Sequence, residues 1–306
     1  MGMSSIDEAI FAMSVEVKND NPLLMDTYSI IDISGIPHNL KQYNGAEDKF
    51  GITLNGSNYI VKRTRDGWNN VYSEYIASNV IRILGGNVHE TYLGRLNNDI
   101  VVLCKDFTSN NISLKSFNST ESLALDTDID RHEYYYDEVV YLLSKLKNCD
   151  LDKCMQSFNE MYVFDALLGN PDRHRGNWGV LRTTHGYRMA PIFDNGASLF
   201  PRAISVSINE NWMKERIYTF PNSKIMFDNK RERSSYYEVI STKNIFDNII
   251  QKISLGMIYD VLRFIENTLI PDNLKTLYKT VIYYRYKCIL NKEDFVWEGT
   301  KWLNVT

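Results

Sequence analysis

The chain has 306 residues, a formal net charge of −4 and a pI near 5.8, with 44% hydrophobic and 24% charged residues. This balance is typical of a globular protein and argues against a disordered or fibrous chain. The acidic balance gives no general attraction to nucleic acid or to an anionic membrane surface, and no apolar run approaches the roughly 18 residues that span a bilayer. We therefore expect one large domain or two lobes, with no direct nucleic-acid partner and no stable membrane insertion.

The amino-terminal third is predicted to be mostly sheet. Strands are predicted at 28–34, 49–63, 89–96 and 99–107. The segment 49–63 is a hairpin because Asn55-Gly56 supplies the positive φ angles of a tight turn. A helix over 71–86 follows it, since apolar residues recur there every four positions and Gly85-Gly86 ends the pattern.

The rest of the chain is predicted to be mainly helical. Dense apolar faces at helical spacing predict helices at 133–148, 151–169, 244–255, 256–269 and 271–290. A strand pair at 177–183 and 187–194 interrupts them, and 200–238 is expected to be a long loop. The expected fold is α+β with two lobes, a sheet-rich one at 1–106 and a helical one at 107–306.

The four cysteines show neither CxxC spacing nor a paired histidine pattern: they are Cys104, Cys149, Cys154 and Cys288. Neither a zinc site nor a disulfide framework is therefore predicted, and a reducing cytoplasm is the compartment that this usage favours. Cys149 and Cys154 lie five residues apart across a predicted helix start. We interpret them as ordinary thiols.

Three side chains in two nearby segments carry a recognisable spacing. In "GNPDRHRGNWGV" (169–180), Asp172 and Asn177 are five apart, and Asp194 in "PIFDNG" follows seventeen residues later. Kinase-type phosphoryl transfer uses one carboxylate to orient the acceptor hydroxyl, and an amide and a second carboxylate to hold magnesium. Turn formation would explain any one of these residues alone, but the full set favours phosphoryl transfer.

A cation is also expected in the amino-terminal lobe. Lys62 lies in the strand "NYIVKRT" on the same side as Ile60, so its ammonium is expected to point inward and to need an anion. Bound phosphate is one such anion, and Glu74 on the following helix is a second. Glu90 is an alternative acid within reach.

"GNPDRHRGNWGV", "PIFDNGASL", "YIVKR", "HETYLG", "FPNSKI" and "YYRYKCIL" together resemble the HipA-like serine/threonine protein kinases, in particular the short CtkA-type members that lack an extra amino-terminal domain. The resemblance covers most of the chain from about residue 40, and its first two motifs are the specific ones.

The resemblance implies a set of roles for residues that bind ATP and Mg²⁺. It makes Asp172 the catalytic acid–base residue and Asn177 and Asp194 the metal ligands. Lys62 would contact the α and β phosphates, with Glu74 as the acid that pairs with the lysine. Backbone atoms of Lys105 and Phe107 would contact adenine, and the loop 43–52 with Gly45 would cover the nucleotide. His174 is grouped with these nucleotide-site residues, although its ring is expected to hold the loop rather than to act as a base. The implied acceptor is a Ser or Thr hydroxyl of a protein, and the family further suggests a bacterial toxin or delivered effector with an antitoxin-type partner.

Three alternatives remain open on the sequence. The stretch "GNPDRHRGNWGV" also resembles the catalytic stretch of phosphatidylinositol 4-kinases, which would make the acceptor a lipid. Glu47-Asp48 in the covering loop would repel a triphosphate unless they face solvent, and they leave room for a nucleotide-binding pseudokinase. Arg173 and Arg175 are expected either to pair with a carboxylate or a phosphorylated segment, or to be solvated charges.

Overall fold

The computed structural model describes residues 28–41, 43, 49–65, 67–119, 134–203, 207–228, 230 and 232–300. The amino-terminal part is built on one five-stranded sheet. Its strands are β1 (Ile30–Asp32), β2 (Lys49–Leu54), β3 (Ser57–Lys62), β4 (Thr91–Leu96) and β5 (Asp99–Lys105). They lie in the order β1-β4-β5-β3-β2, with β1 parallel to β4 and the other neighbours antiparallel.

Tight turns and one helix give this sheet its local form. Asn55 and Gly56 have φ angles of 49° and 77°, which confirms the predicted turn between β2 and β3. Helix α1 (Asn70–Ile83) packs on β4 and β5, and eleven of its residues are buried. Because most residues of α1 are buried, the helix packs against neighbours on several sides rather than along one apolar stripe.

The carboxyl-terminal part is mainly helical. Its helices are α2 (Tyr136–Lys145), α3 (Leu151–Leu168), α4 (Glu210–Tyr218), α5 (Tyr236–Thr242), α6 (Asp247–Ile250), α7 (Leu255–Asn267) and α8 (Asp272–Arg285), with a π-helical turn at Tyr286–Leu290. Helix α3 contacts α2, α5, α6 and α8, so it is the central element of this part. Together with the sheet, this arrangement confirms the expected α+β, two-lobed class.

Two small sheets complete the described residues. Strands β6 (Ser113–Ser116), β8 (Gly179–Thr183) and β9 (Gly186–Met189) form an antiparallel sheet, and β7 (Tyr134–Tyr135) pairs in parallel with β10 (Ile225–Met226). The β8–β9 hairpin joins the stretch around Asp172 to Asp194. Backbone hydrogen bonds from His89 N to Ile192 O (3.0 Å) and from Ile192 N to Asn87 O (2.8 Å) attach the segment after this hairpin to the amino-terminal part.

The prediction of a long loop at 200–238 is wrong. The segment contains α4, β10 and the start of α5. Asn209 caps α4 by accepting from Trp212 N at 3.0 Å, and Met213 and Ile217 bury one side of the helix. Two buried residues in a polar helix are a weak periodic signal, which is why the pattern was missed.

Other predicted elements differ only in extent. The predicted strand 187–194 ends at Met189, because the chain then turns into a loop in which Asp194 has a φ of 60°. The predicted helix 244–255 is a 3₁₀ turn at Asn244–Phe246 followed by the short α6. The boundary expected between residues 106 and 107 lies between β5 and β6, which belong to different sheets, and it stays a prediction.

No helix among the described residues is both long and apolar enough to cross a bilayer.

We predict that Gly169→Ala destabilises the protein more than Gly56→Ala does. Both glycines have positive φ, at 66° and 77°, so both variants share the backbone strain of about 1–2 kcal/mol. A Cβ at Gly169 would lie 1.5 Å from Nη1 of the buried Arg285, whereas one at Gly56 would meet nothing within 4 Å. Urea unfolding should therefore show an additional loss of about 1–3 kcal/mol for Gly169→Ala. Equal losses in the two variants would contradict the crowding.

Candidate active site

A buried lysine at the end of β3 lies between two carboxylates. Lys62 Nζ is 2.8 Å from Glu74 Oε2 and 2.7 Å from Asp194 Oδ1. Lys62 is 8% exposed, so its charge needs these partners. The expected pairing with Glu74 is therefore present, and the alternative acid Glu90 instead lies 2.8 Å from Lys105 Nζ.

Glu74 is the more deeply buried of the two acids. Burial alone would raise its pKa, but the Lys62 ammonium and the His89 side chain hold the pKa of Glu74 well below its usual value. His89 Nε2 lies 3.0 Å from Glu74 Oε1, and Asn195 N donates to the same oxygen at 2.9 Å. Both carboxylate oxygens thus have partners, which fixes the side chain.

Asp194 lies in the loop that follows β9, five residues after this strand ends at Met189. Its φ of 60° lies in the left-handed region, which Asp tolerates better than most residues. Burial opposes ionisation of its carboxyl, yet the charge of Lys62 outweighs this and keeps the pKa of Asp194 below its usual value. Asp194 is therefore ionised near neutral pH, with its side chain 32% exposed.

The stretch around Asp172 begins where α3 ends. Gly169 terminates α3 in the left-handed conformation, and Asn170 Oδ1 accepts from Asp172 N at 2.9 Å. Tyr236 OH donates to Asn170 O at 2.6 Å. This cap and these hydrogen bonds hold the backbone of the loop while the Asp172 side chain stays 50% exposed.

Asn177 and His174 hold this loop from within. Asn177 Nδ2 donates to Asp172 O at 2.9 Å, and Gly176 N donates to His174 Nδ1 at 2.9 Å. His174 thus holds the loop, as expected of its ring, and its place among nucleotide-binding residues stays a prediction.

Arg173 is the residue that joins the two segments of the motif. Its side chain is fully buried and forms a two-pronged ion pair with Asp165 of α3, at 2.8 Å (Nε–Oδ2) and 2.9 Å (Nη2–Oδ1). Its Nη1 donates to Asn177 O at 2.7 Å and to Phe193 O at 2.5 Å. One guanidinium therefore holds Asn177 and the residue before Asp194 side by side.

The alternative of solvated charge is wrong for both arginines of the loop. Arg175 is 2% exposed, its Nη2 lies 3.0 Å from Glu138 Oε2, and its guanidinium stacks over Phe117 and Tyr134, each 5.7 Å away. The cost of burying each charge is offset by an acid and, for Arg175, also by aromatic faces.

Asn195 is a site residue that the sequence analysis missed. It is 1% exposed, and its Oδ1 accepts from Arg173 Nη2 at 2.7 Å while its Nδ2 donates to Ser78 Oγ at 2.9 Å. Its backbone N donates to Glu74 Oε1 at 2.9 Å. Asn195 thus connects the loop that carries Asp194 to α1 and to Arg173. Its position directly after the motif aspartate was the only available sequence signal.

The expected adenine and covering contacts are described only in part. Lys105 N donates to Glu90 O at 2.8 Å, so this N–H is already engaged. Of the backbone atoms of Lys105, the carbonyl oxygen is therefore the one to which the predicted adenine contact still applies. The Phe107 ring lies 5.9 Å from that of Phe193, beside the bend at Asp194. Gly45, Glu47 and Asp48 lie outside the described residues.

The start of the expected covering loop is held at Asp106, the residue after the end of β5. Lys41 Nζ lies 2.5 Å from Asp106 Oδ2, and Tyr43 OH donates to the same oxygen at 3.0 Å. The segment that leads into the loop 43–52 is thereby held beside the expected adenine contacts.

Comparison with known proteins identifies the family. The model of the HipA-like C-terminal domain matches residues 42–257 of this chain. The chain belongs to the HipA-like C-terminal domain family.

One relative by sequence and two solved structures are similar to this chain. The serine/threonine-protein kinase CtkA of Helicobacter pylori is 32% identical over 250 residues, which cover 74% of this chain and 76% of the relative. The crystal structure of the H. pylori proinflammatory kinase CtkA matches with a TM-score of 0.76 and 30% identity, covering 86% of this chain and 96% of that one. HipA of Shewanella oneidensis, solved with HipB and operator DNA, matches with a TM-score of 0.56 over 94% of this chain and 72% of that one; at 17% identity it shows the fold alone.

Three buried side chains near the lysine carry atoms of the kind that can bind a metal ion. Single ligand atoms of Glu74, His89 and Cys104 lie within 4.8 Å of one another, and all three residues are buried. Lys62 already neutralises Glu74 at 2.8 Å, and its ammonium would repel a cation at this point. Glu74 and its neighbours therefore form a hydrogen-bonded ion-pair cluster rather than a metal centre.

We predict that Asp165→Asn lowers the free energy of unfolding by about 3–5 kcal/mol, because it leaves the Arg173 charge buried without a counter-ion. Asp260→Asn is the matched control, since Asp260 is 57% exposed and pairs with Arg263 on the surface of α7 at 3.1 Å. Its effect should stay within about 1 kcal/mol. Urea denaturation of the two variants compares them, and similar small losses would show that Arg173 does not depend on Asp165.

Proposed function

We propose that this chain is an ATP- and Mg²⁺-dependent serine/threonine protein kinase of the HipA-like type. Its H. pylori relative is named a serine/threonine-protein kinase. The observation that carries the proposal is the position of Lys62, whose ammonium is shared between Glu74 at 2.8 Å and Asp194 at 2.7 Å. A strand lysine, a helix glutamate and a metal-binding aspartate are the parts that kinases bring together around the phosphates.

In the proposed reaction Lys62 binds phosphate oxygens of the nucleotide. Glu74 fixes the direction of the lysine side chain, and its own second oxygen is fixed by Asn195 N at 2.9 Å. The lysine is therefore held in place before the nucleotide arrives, which reduces the reorganisation needed in the reaction.

Asp172 is proposed to orient the acceptor hydroxyl and to accept its proton. Its backbone is held by Asn170 and Asn177, whereas its carboxylate is half exposed and so remains accessible to a protein substrate. A rigid backbone with an accessible carboxylate is what positioning of a hydroxyl requires.

Asn177 and Asp194 fit Mg²⁺ as ligands. Mg²⁺ prefers oxygen ligands and takes only a few from the protein. Because Asn177 Nδ2 donates to Asp172 O, the amide oxygen is the atom left for a ligand. Asp194 Oδ1 contacts Lys62, and no hydrogen bond to Oδ2 occurs among the described residues. Mg²⁺ bound by these two oxygens would neutralise charge on the phosphates.

We expect Asp172→Asn to reduce phosphoryl transfer by about 10²–10⁴-fold, since it removes the proposed proton acceptor. Nucleotide binding should change by less than about twofold, because the side chain does not hold the phosphates. Transfer from γ-labelled ATP with Mg²⁺ to a dephosphorylated bacterial protein extract measures the first, and titration with a fluorescent ATP analogue measures the second. Asp99→Asn, at the exposed start of β5, is the control and should behave as wild type.

The same assay separates the proposal from its alternatives. Vesicles that contain phosphatidylinositol are included in a parallel reaction. Label in the lipid but not in protein would make the chain a lipid kinase, and nucleotide binding without any transfer would make it a pseudokinase. Full activity of Asp172→Asn would remove Asp172 from the mechanism. An antitoxin-type partner and a role as toxin or effector stay predictions from the family resemblance.

We further predict that Asn195→Ala lowers kcat by about 10–100-fold and raises the Mg²⁺ concentration needed for half-maximal activity. The side chain anchors the residue next to Asp194 to Arg173 and Ser78, at 2.7 and 2.9 Å, and small displacements of a catalytic group are costly. Asn98→Ala, in an exposed turn, is the matched control. A lower melting temperature with unchanged kcat and Mg²⁺ dependence would limit Asn195 to a structural role.

A further inference from the structure

The first turn of α3 brings two thiols together. Asp150 caps the helix by accepting from Lys153 N at 3.2 Å, so Cys149 is the residue before the cap and Cys154 is the fourth residue of the helix. Side chains at these two positions commonly pack against each other and fix the direction in which the chain enters a helix. Here both positions are cysteines, and their sulfur atoms lie 3.0 Å apart.

The backbone on both sides of the pair is held in place. Cys154 N donates to Asp150 O at 3.0 Å, and Cys149 N donates to Leu146 O at 3.3 Å. Because a disulfide bond is about 2.05 Å long, the sulfur atoms need to approach by only about 1 Å. Rotation of the two side chains can supply a movement of this size without unfolding the helix.

The two thiols differ in their access to solvent. Cys149 is partly exposed, whereas Cys154 is 3% exposed. A small oxidant therefore reaches Cys149 first, and Cys154 is the thiol placed to resolve the product. Burial, together with the nearby Cys154 thiol, raises the pKa of Cys149 to about 12, so the reaction at neutral pH is expected to be slow.

We propose that Cys149 and Cys154 are a redox-reactive dithiol that forms an intramolecular disulfide when the protein meets a hydroperoxide. The Cys149 sulfur attacks the terminal peroxide oxygen, the O–O bond breaks, and the thiol proton passes to the departing oxygen, so an alcohol or water leaves and a sulfenic acid remains. The Cys154 sulfur then attacks the Cys149 sulfur, the S–S bond forms, and the S–O bond breaks as the departing hydroxyl takes the Cys154 thiol proton and leaves as water. The two thiols supply the two electrons that reduce the peroxide, and a thiol reductant reverses the change.

The proposed bond would form directly beside the hairpin that links the two halves of the active-site motif. Gly186 in the β8–β9 turn packs so closely on Asn148 that a Cβ there would lie 2.4 Å from Asn148 O. Asn148 is the neighbour of Cys149, so the dithiol and the hairpin share a contact. The proposal concerns the thiols alone and does not depend on the proposed kinase activity.

The sequence allows a direct test by mass spectrometry. The reduced full-length chain is treated with hydrogen peroxide, alkylated with iodoacetamide in denaturant and digested with trypsin. Trypsin cleaves after Lys147 and Lys153 and so places the two cysteines on separate peptides. We expect these two peptides to appear joined, 2 Da lighter than their sum and free of alkylation, and to separate again after treatment with dithiothreitol.

Cysteine variants provide the controls. Cys149→Ser and Cys154→Ser should each abolish the joined peptides, whereas Cys288→Ser should leave them unchanged. Cys104 and Cys288 are 1% and 2% exposed, so peroxide should not oxidise them in the folded protein. Both should therefore be fully alkylated once the oxidised wild type is denatured. Full alkylation of all four thiols, over-oxidation of Cys149 without joined peptides, or joined peptides only between two chains would each overturn the proposal.

Discussion

The buried guanidinium of Arg173 is the constraint on which the geometry of the candidate active site depends. An arginine has five N–H donors, and here all five are engaged: two by Asp165, two by the backbone at Asn177 and Phe193, and one by Asn195. A buried charge is tolerated only when its partners are complete. Because Arg173 directly follows Asp172, its fully hydrogen-bonded side chain also fixes the backbone of the loop that carries Asp172, the proposed proton acceptor.

From this arginine the polar contacts continue into the amino-terminal sheet. Asn195 links Arg173 to Ser78 on α1, and its backbone N bonds to Glu74, which in turn holds Lys62 at 2.8 Å. Each member of this series is buried or nearly so, and a buried network is strongly stabilising only when it is fully paired. A shift of α1 would therefore break contacts at the lysine and at the aspartate loop together, so the helix position and the integrity of the site are coupled.

The sequence was sufficient where local pattern and chemistry agree. The Asn55-Gly56 turn, helix α1 and the pairing of Lys62 with Glu74 could be predicted, because period, turn chemistry and the need of a buried cation for an anion act locally. Burial of Arg173 depends on Asp165, on the preceding helix, and on carbonyls from a separate loop, so no window of sequence contains the cause. An acid inside the apolar run "YVFDALL" was the one available signal. Helix α4 could not be predicted because only two of its residues are buried, which leaves too few apolar positions to show a helical period.

Two carboxylates and one ammonium at the lysine leave a net negative charge there. Glu74 and Asp194 both have depressed pKa values and are ionised, yet they share the single ammonium of Lys62. Glu74 is enclosed, with both oxygens engaged, so its charge is neutralised internally. The remaining negative charge therefore lies on the exposed side of Asp194, beside the loop that holds Asn177. Under the proposed function, a divalent cation and the phosphate chain would bind on this side of Asp194. Lys62, on the other side, keeps the Asp194 carboxylate ionised.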